Sequence, residues 1–487
     1  MISERLRSLA KVPAVAREGA VYAIAGTLNR AAGLILLPLY THRLTEAEVG
    51  AYGVLISIVL LFQIVTITGM DSATARWFFH KQDSQERLAT FSSWILWQGV
   101  ASALVAVPAI VLAPLISKLL IGEVSGADDA VRFAAMTLIS GIVPNTLFNW
   151  FRLHRRPVAA GITATSQALA VALASILAIQ VFDLGLPGVF IGQFAAGLMV
   201  TLIALVLEGD PMMPFRARQE RIREMLKFAL PLVPAGAAFW IVGVADRLFL
   251  RAFSDMDQVG RYQVVATVAA GVGLFTQAFQ LSWGPAALSI QERPNARRVY
   301  SSVLSGYMAG GGIICFLTAA FGSIVVAVVA NDQYSGLLAP LVILTGSVVF
   351  QGVLAIVSVG PTIAGTSRPT LEAVSAAAVV NTALNLALIP PWGLLGASWA
   401  TCAGMLTLAA VGLWRSEQVW HVGYRVKELL FVMLVCAVVA AGATYSVEQL
   451  GGFPRVGALV VLAGVLVGAF GPLIRSLRTQ FSGVIGS

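Results

Sequence analysis

Apolar runs long enough to cross a lipid bilayer recur from one end of this 487-residue chain to the other, with short polar stretches between them. A helix crossing the hydrocarbon needs about 20 residues. The chain is 58% hydrophobic and 11% charged. A soluble domain is typically about 45–50% apolar and about 25% charged, and no soluble core would absorb the excess. The sequence therefore reads as an all-α integral membrane protein with about 14 transmembrane helices. The expected spans are 19–41, 50–70, 91–113, 131–151, 158–180, 187–207, 228–250, 262–284, 300–322, 337–358, 370–389, 394–413, 428–446 and 456–474.

Loop charges test this map. With the N-terminus in the cytoplasm, 24 of the 32 basic residues fall on the inner side, six fall outside, and Arg30 and Arg247 lie within or near spans. A miscounted helix would invert the bias downstream of the error. Both termini are thus expected to be cytoplasmic. The net charge of +8 and the pI of about 9.7 reflect this bias rather than a nucleic-acid partner. Cys315, Cys402 and Cys436 all lie in apolar segments without CxxC spacing and read as small buried hydrophobes. The basic N-terminus leads into a run of full span length ending in Pro38-Leu39-Tyr40, which is expected to be retained rather than cleaved as a signal peptide.

An internal repeat divides the chain. "LTEAEVGAYGVL" (44–55) aligns with "SDMDQVGRYQVV" (254–265) at an offset of 210, so that Val49, Gly50 and Tyr52 match Val259, Gly260 and Tyr262. "RRPVAAG" (155–161) pairs with "SRPTLEA" (367–373), and "GLPGVFIG" (185–192) with "GLLGASWA" (393–400). A unit of six helices starts on the same side each time, which implies parallel copies about an axis along the membrane normal. The expected domains are an N-terminal lobe over 1–207 with helices 1–6, a cytoplasmic linker over 208–227 and a C-terminal lobe over 228–415. Residues 416–487 add two helices and a tail. The basic linker reads either as an amphipathic helix on the anionic inner leaflet or as a solvated loop.

No enzyme is legible. There is no GxxxxGK[ST] phosphate loop, no HExxH and no CxxC pair, and the four histidines are scattered in or beside loops. No catalytic residue, metal site or cofactor is called for. The informative charges are those inside spans, where an ionisable side chain costs about 2.5–3.5 kcal/mol and usually faces a cavity. Arg30 stands about eleven residues, or roughly 17 Å, from either end of the first span. Asn29 adds a polar neighbour, and Ala23, Gly26 and Gly33 leave space on the same face. A guanidinium in a roomy, wet cavity is a bidentate receptor for phosphate. The alternative is a salt bridge to an acid on another helix. Asp246-Arg247, at the outer end of the seventh span, reads as a local ion pair or a gate. Asp71 and Arg76 flank the inner end of the second span, either as helix-end anchors or as an inner gate. Arg152, Arg155 and Arg156 cluster at the inner end of the fourth, fixing topology or receiving an anionic lipid head group. Prolines at 38, 108, 144, 231, 234 and 285, and "AGGG" at 309–312, mark places where spans are expected to break, as in transporters with discontinuous helices.

Several stretches resemble a known family. "GLILLPLYTHRLTEAEVGAYGVL" (33–55) resembles the first-helix signature of the polysaccharide-transport family, the Wzx-type oligosaccharide-lipid flippases. These belong to the multidrug/oligosaccharidyl-lipid/polysaccharide exporter superfamily. "ADRLFL…VGRYQV" (245–264) resembles the matching segment of their second lobe. "SRPTLEAVSAAAVVNTALNLALIPPWGLLGASWAT" (367–401) resembles their helix 11–12 pattern, including Asn381 and Asn385. The resemblance implies two six-helix lobes, alternating access, and movement of a polyprenyl-pyrophosphate-linked oligosaccharide across the bacterial inner membrane. Its cargo would be an O-antigen, capsule or exopolysaccharide repeat unit. Arg30 fits the family's cationic cavity by position. The implied partners are the lipid-linked oligosaccharide, membrane lipids, and glycan polymerase and glycosyltransferase machinery. Proton or sodium coupling, or the substrate's own gradient, would drive export. Two other readings in the superfamily stand beside this one: a cation-coupled multidrug exporter, which calls for an acid deep in the membrane, and a lipid II flippase.

Overall fold

The computed structural model describes residues 33–80, 83–207 and 215–485. Among these residues the chain is helical throughout, with no strand. Twelve of its helices are long and apolar enough to cross a membrane. One of them, Arg368–Val419, contains two expected spans, so these helices account for the second to the fourteenth. Most of the first span lies outside the described residues, and its visible end is α1, residues 33–43.

Contacts divide the protein into two compact units. The first runs to Trp240 and includes Asp255–Gly260; the second comprises Ile241–Ser254 and everything from Arg261 onward. In the first unit, α2 (Glu46–Ile67) begins with a capping box. Thr45 accepts from the Glu48 N–H at 3.2 Å, and Glu48 accepts from the Thr45 N–H at 2.9 Å. It ends at Thr68 and Gly69, both left-handed, and α3 (Met70–His80) follows. Asp83 caps α4 (Ser84–Val111), which carries Pro108 in its last turn and gives way at Leu112 to α5 (Ala113–Leu120). The fourth span is broken at Gly141 into α6 (Ala127–Ser140) and α7 (Ile142–Leu153). Pro144 then stands in the first turn of α7, where its missing N–H has no helical partner to lose. After α8 (Pro157–Ile176) comes a π turn, Leu177–Val181, and then α9 (Gly185–Leu207).

These helices are apolar around most of their circumference, and what separates inside from outside is size. Leu169, Leu173, Leu198 and Leu202 are exposed on α8 and α9, whereas Ala170, Ala196 and Val200 pack between those helices. Lipid solvates a leucine as well as another helix does, so association depends on close approach of small side chains.

Residues 219–229 fall within and just beyond the expected linker. They form α10 (Gln219–Ala229), whose apolar side is buried in its own unit against α3 and α4. Met225 and Ala229 are fully buried there with Met70, Phe91 and Trp94. Glu86 of α4 accepts from Arg218 and Arg221, each at 2.6 Å. An amphipathic helix was legible, but its apolar face meets protein rather than a leaflet.

The next span is also broken. A 3₁₀ turn, Leu230–Leu232, precedes α11 (Val233–Val244), and α12 (Asp246–Phe253) starts after Ala245. Then come α13 (Met256–Ser289) and α14 (Ala296–Val329). The "AGGG" of α14 does not break it: Gly311 and Gly312 are buried where Val349 and Cys436 approach. The second unit continues with α15 (Leu338–Val357), α16 (Val359–Ile363) and α17 (Arg368–Val419), and ends with α18 (Val426–Gln449) and α19 (Gly452–Ile485). The last two lie outside the repeat, yet Val432, Val439, Leu466 and Phe470 from them join α14 in one core.

Local structure follows the repeat. Asp255 accepts from the Gln258 N–H at 2.8 Å, as Thr45 does from Glu48. Pro157 and Pro369 each open a helix in its first turn. Gly185 (φ 56°) precedes the run of α9, and Gly393 (φ 52°, ψ −128°) breaks α17 into its two spans just after Pro390-Pro391. The order of neighbours also recurs: α4 packs on α6 and α6 on α9, as α14 packs on α15 and α15 on α17.

Candidate functional site

The two residues singled out for pyrophosphate, Arg30 and Asn29, lie outside the described residues. The best-defined polar site lies in the second unit, at the break between α11 and α12. Asp246 is 1% exposed and Arg247 is 9% exposed. One carboxylate oxygen, Oδ1, accepts from the Arg247 N–H at 2.9 Å and from its Nη1 at 2.8 Å. The other, Oδ2, accepts from Thr401 Oγ1 at 3.1 Å and from the Tyr262 hydroxyl. Arg247 also donates from Nε to Gln263 at 3.0 Å and from Nη1 to the Gly243 carbonyl at 3.3 Å. Its guanidinium lies 5.4 Å from the centre of the Tyr262 ring. Gln263 passes the network on to Thr267 at 3.1 Å.

The sequence explains the assembly. Tyr262 and Gln263 are the "YQ" of the repeated motif, on the first turns of α13. Tyr52, the matching residue in the first unit, packs instead among rings, 5.4 Å from Tyr40 and 5.9 Å from Phe190. At the repeat offset, Leu36 and Leu37 stand where the second copy has Asp246 and Arg247. One copy is apolar at this position and the other carries a buried ion pair. Such a pair is held by geometry and by full hydrogen bonding, because desolvation takes back much of the Coulombic gain.

A second buried polar pair lies on α17. Asn385 donates to Asn381 at 3.0 Å and both are fully buried, leaving Asn381 Nδ2 and Asn385 Oδ1 without partners.

The other expected site residues are in the first unit. Arg152, Arg155 and Arg156 are all exposed around the turn from α7 to α8, where Arg155 takes φ 54°. Arg156 lies over the Phe151 ring at 5.1 Å. Between them His154 is half-buried against Trp150 and Phe78, with ring centres at 4.1 and 4.7 Å. Burial pushes its imidazole below the ordinary value; its bond to the Trp150 carbonyl opposes this, and Arg87 and Arg156 add to it. These three arginines are therefore brought together. Asp71 and Arg76 are not joined by an ion pair: Arg76 lies over Phe228 at 4.8 Å and Trp77 at 5.5 Å.

Residues 15–291, more than half of the chain, match the family described as polysaccharide biosynthesis protein. The chain belongs to that family. A relative within reach of sequence comparison is an uncharacterized membrane protein of Methanocaldococcus jannaschii. It is 21% identical over 435 residues, which are 82% of this chain and 83% of that one. Among solved structures, the polysaccharide biosynthesis fold seen here is similar to the lipid II flippase MurJ in its inward closed conformation. Identity is 14%, coverage 94% of this chain and 100% of that one, and the TM-score 0.69. It is also similar to an inward-facing multidrug resistance MATE family transporter of the MOP superfamily. Identity is 13%, coverage 84% and 96%, and the TM-score 0.64. The fold is similar to that of both solved transporters.

Proposed function

We propose that the protein is a flippase that moves a polyprenyl-pyrophosphate-linked oligosaccharide from the cytoplasmic to the periplasmic leaflet of a bacterial inner membrane, by alternating access. Membership of the polysaccharide biosynthesis family over residues 15–291 carries this reading. In it, Arg30 and Asn29 receive the pyrophosphate, since a guanidinium offsets the dehydration of phosphate better than any other side chain. Arg152, Arg155 and Arg156 attract the head group to the inner face. The Asp246–Arg247 pair acts as a gate, and proton or sodium coupling drives transport. Asp71 and Arg76, which are not joined by an ion pair, serve as helix-end anchors, with Arg76 held against Phe228 and Trp77.

The test is export of surface glycan in a deletion strain complemented with variants. Arg30→Ala is expected to abolish export and Arg30→Lys to retain part of it. Full glycan display with a well-expressed Arg30→Ala protein would remove the receptor role. Glycosyltransferase and polymerase genes alongside this one would favour the same cargo.

A second reading, a lipid II flippase, is favoured by the fold likeness to MurJ. It requires that loss of the gene disturb peptidoglycan; a viable knockout with a normal wall excludes it. A multidrug exporter is favoured by the fold likeness to the MATE family transporter. Drug-resistance profiling of the same strain separates it from the other two.

A further inference from the structure

A cavity of about 400 Å³ lies within the second unit, where α13 ends and α14 begins. Phe279, Trp283, Ile290, Val299 and Val303 supply an apolar wall, and Arg293 supplies donors. Trp283 is 6% exposed. The ring is fixed by Phe279, 6.2 Å away and stacked, and by Tyr300, 5.5 Å away and edge-on. Tyr300 is itself held, through its hydroxyl, by the Ala287 carbonyl at 2.6 Å. Arg293 is exposed and forms no ion pair among the described residues. The turn it belongs to, 292–298, carries one acid, Glu292, against Arg293, Arg297 and Arg298.

We propose that this cavity binds an anionic phospholipid of the surrounding leaflet. Its phosphate would sit on Arg293, and the start of one acyl chain would lie along Phe279, Val299 and Val303. A small hydrated anion has no use for an apolar wall, and a neutral lipid leaves the arginine unanswered. The volume matches roughly a dozen groups of about 30 Å³ each, so a phosphate and the first part of a chain fit while the rest stays in the bilayer. The position between two membrane-spanning helices, at a turn with surplus positive charge, is where such a lipid would be met.

The test uses the purified full chain in detergent, with lipid binding followed by native mass spectrometry and by the thermal unfolding midpoint. Phosphatidylglycerol is expected to bind and raise the midpoint, and phosphatidylethanolamine to bind about tenfold more weakly. Inorganic phosphate at matched concentration is expected to shift nothing. Arg293→Gln, at an exposed position, should fold normally and weaken phosphatidylglycerol about tenfold. Equal binding of the two phospholipids, or unchanged phosphatidylglycerol binding in Arg293→Gln, would overturn the assignment. So would a shift produced by phosphate alone, which would mark a small-anion site. Binding of undecaprenyl phosphate in place of phosphatidylglycerol would overturn it too, by giving the cavity to the cargo.

Discussion

At the scale of single residues, the contrast between the repeats makes Asp246 and Arg247 testable. Asp246→Ala removes the carboxylate to which the buried Arg247 donates, a loss of about 3–5 kcal/mol. The double variant Asp246→Leu, Arg247→Leu reproduces the Leu36–Leu37 of the first repeat. It is expected to recover most of that stability while glycan export stays lost. The two readouts are the thermal midpoint in detergent and complementation of a deletion strain. Export retained in the double variant would show that the pair is structural only. Both residues were legible because they interrupt an apolar run. Tyr262 and Gln263 were visible as the motif of the repeat, though not as partners of the pair. Thr401 was not legible at all: it meets Asp246 across 155 positions of sequence, and a threonine in a transmembrane helix ordinarily bonds its own backbone. The proposed cargo rests on Arg30, which the complementation experiment tests.

At the scale of elements, helix ends were easier to read than helix partners. Thr45 with Glu48, Pro157 and Pro369 set the starts of α2, α8 and α17 through local chemistry, within a few residues of the expected spans. The docking of α10 was not readable, since an amphipathic stripe looks the same whether lipid or protein covers it. Within the first unit, the close approach of α2 to residues 256–260 explains the glycine of the VG motif. A Cβ on Gly260 would stand 2.0 Å from the Glu46 carbonyl oxygen, and one on Gly50 would stand 2.1 Å from that of Met256. Gly260→Ala must therefore part the two backbones, at a cost of about 1–3 kcal/mol. Gly99 of α4 has nothing within 4 Å of its missing Cβ, so Gly99→Ala should be neutral or stabilise by up to about 1 kcal/mol. Thermal unfolding of the two variants side by side checks this; equal midpoints would mean this contact gives way freely. Gly393 is a separate case. Its φ of 52° with ψ of −128° belongs to glycine alone, and Gly393→Ala is expected to cost about 1–3 kcal/mol through backbone strain.

At the scale of the whole molecule, orientation follows from charge, and it decides what each face can do. The loops bearing Arg155, Arg218 and Arg297 stand on one expected side, and those bearing Lys118, Arg261 and Arg455 on the other. A helix inserted the wrong way would carry several arginines across the hydrocarbon, so the bias acts during assembly. The number of spans was legible for the same reason that made their contacts illegible: length and hydropathy belong to each segment, whereas packing belongs to pairs. The prediction is made with single cysteines in a background lacking Cys315, Cys402 and Cys436. Cysteines at 118 and 455 should react with an impermeant maleimide in cells whose inner membrane is intact. Those at 155, 218 and 297 should react only after that membrane is permeabilised. Labelling of 297 from outside would invert the second half of the map. The lipid cavity beside Arg293 would then open on the periplasmic leaflet, and the basic turns could no longer gather a cytoplasmic substrate. Labelling as expected leaves Arg152, Arg155 and Arg156 on the side where a lipid-linked glycan is made, which is the geometry an inward-to-outward flippase needs.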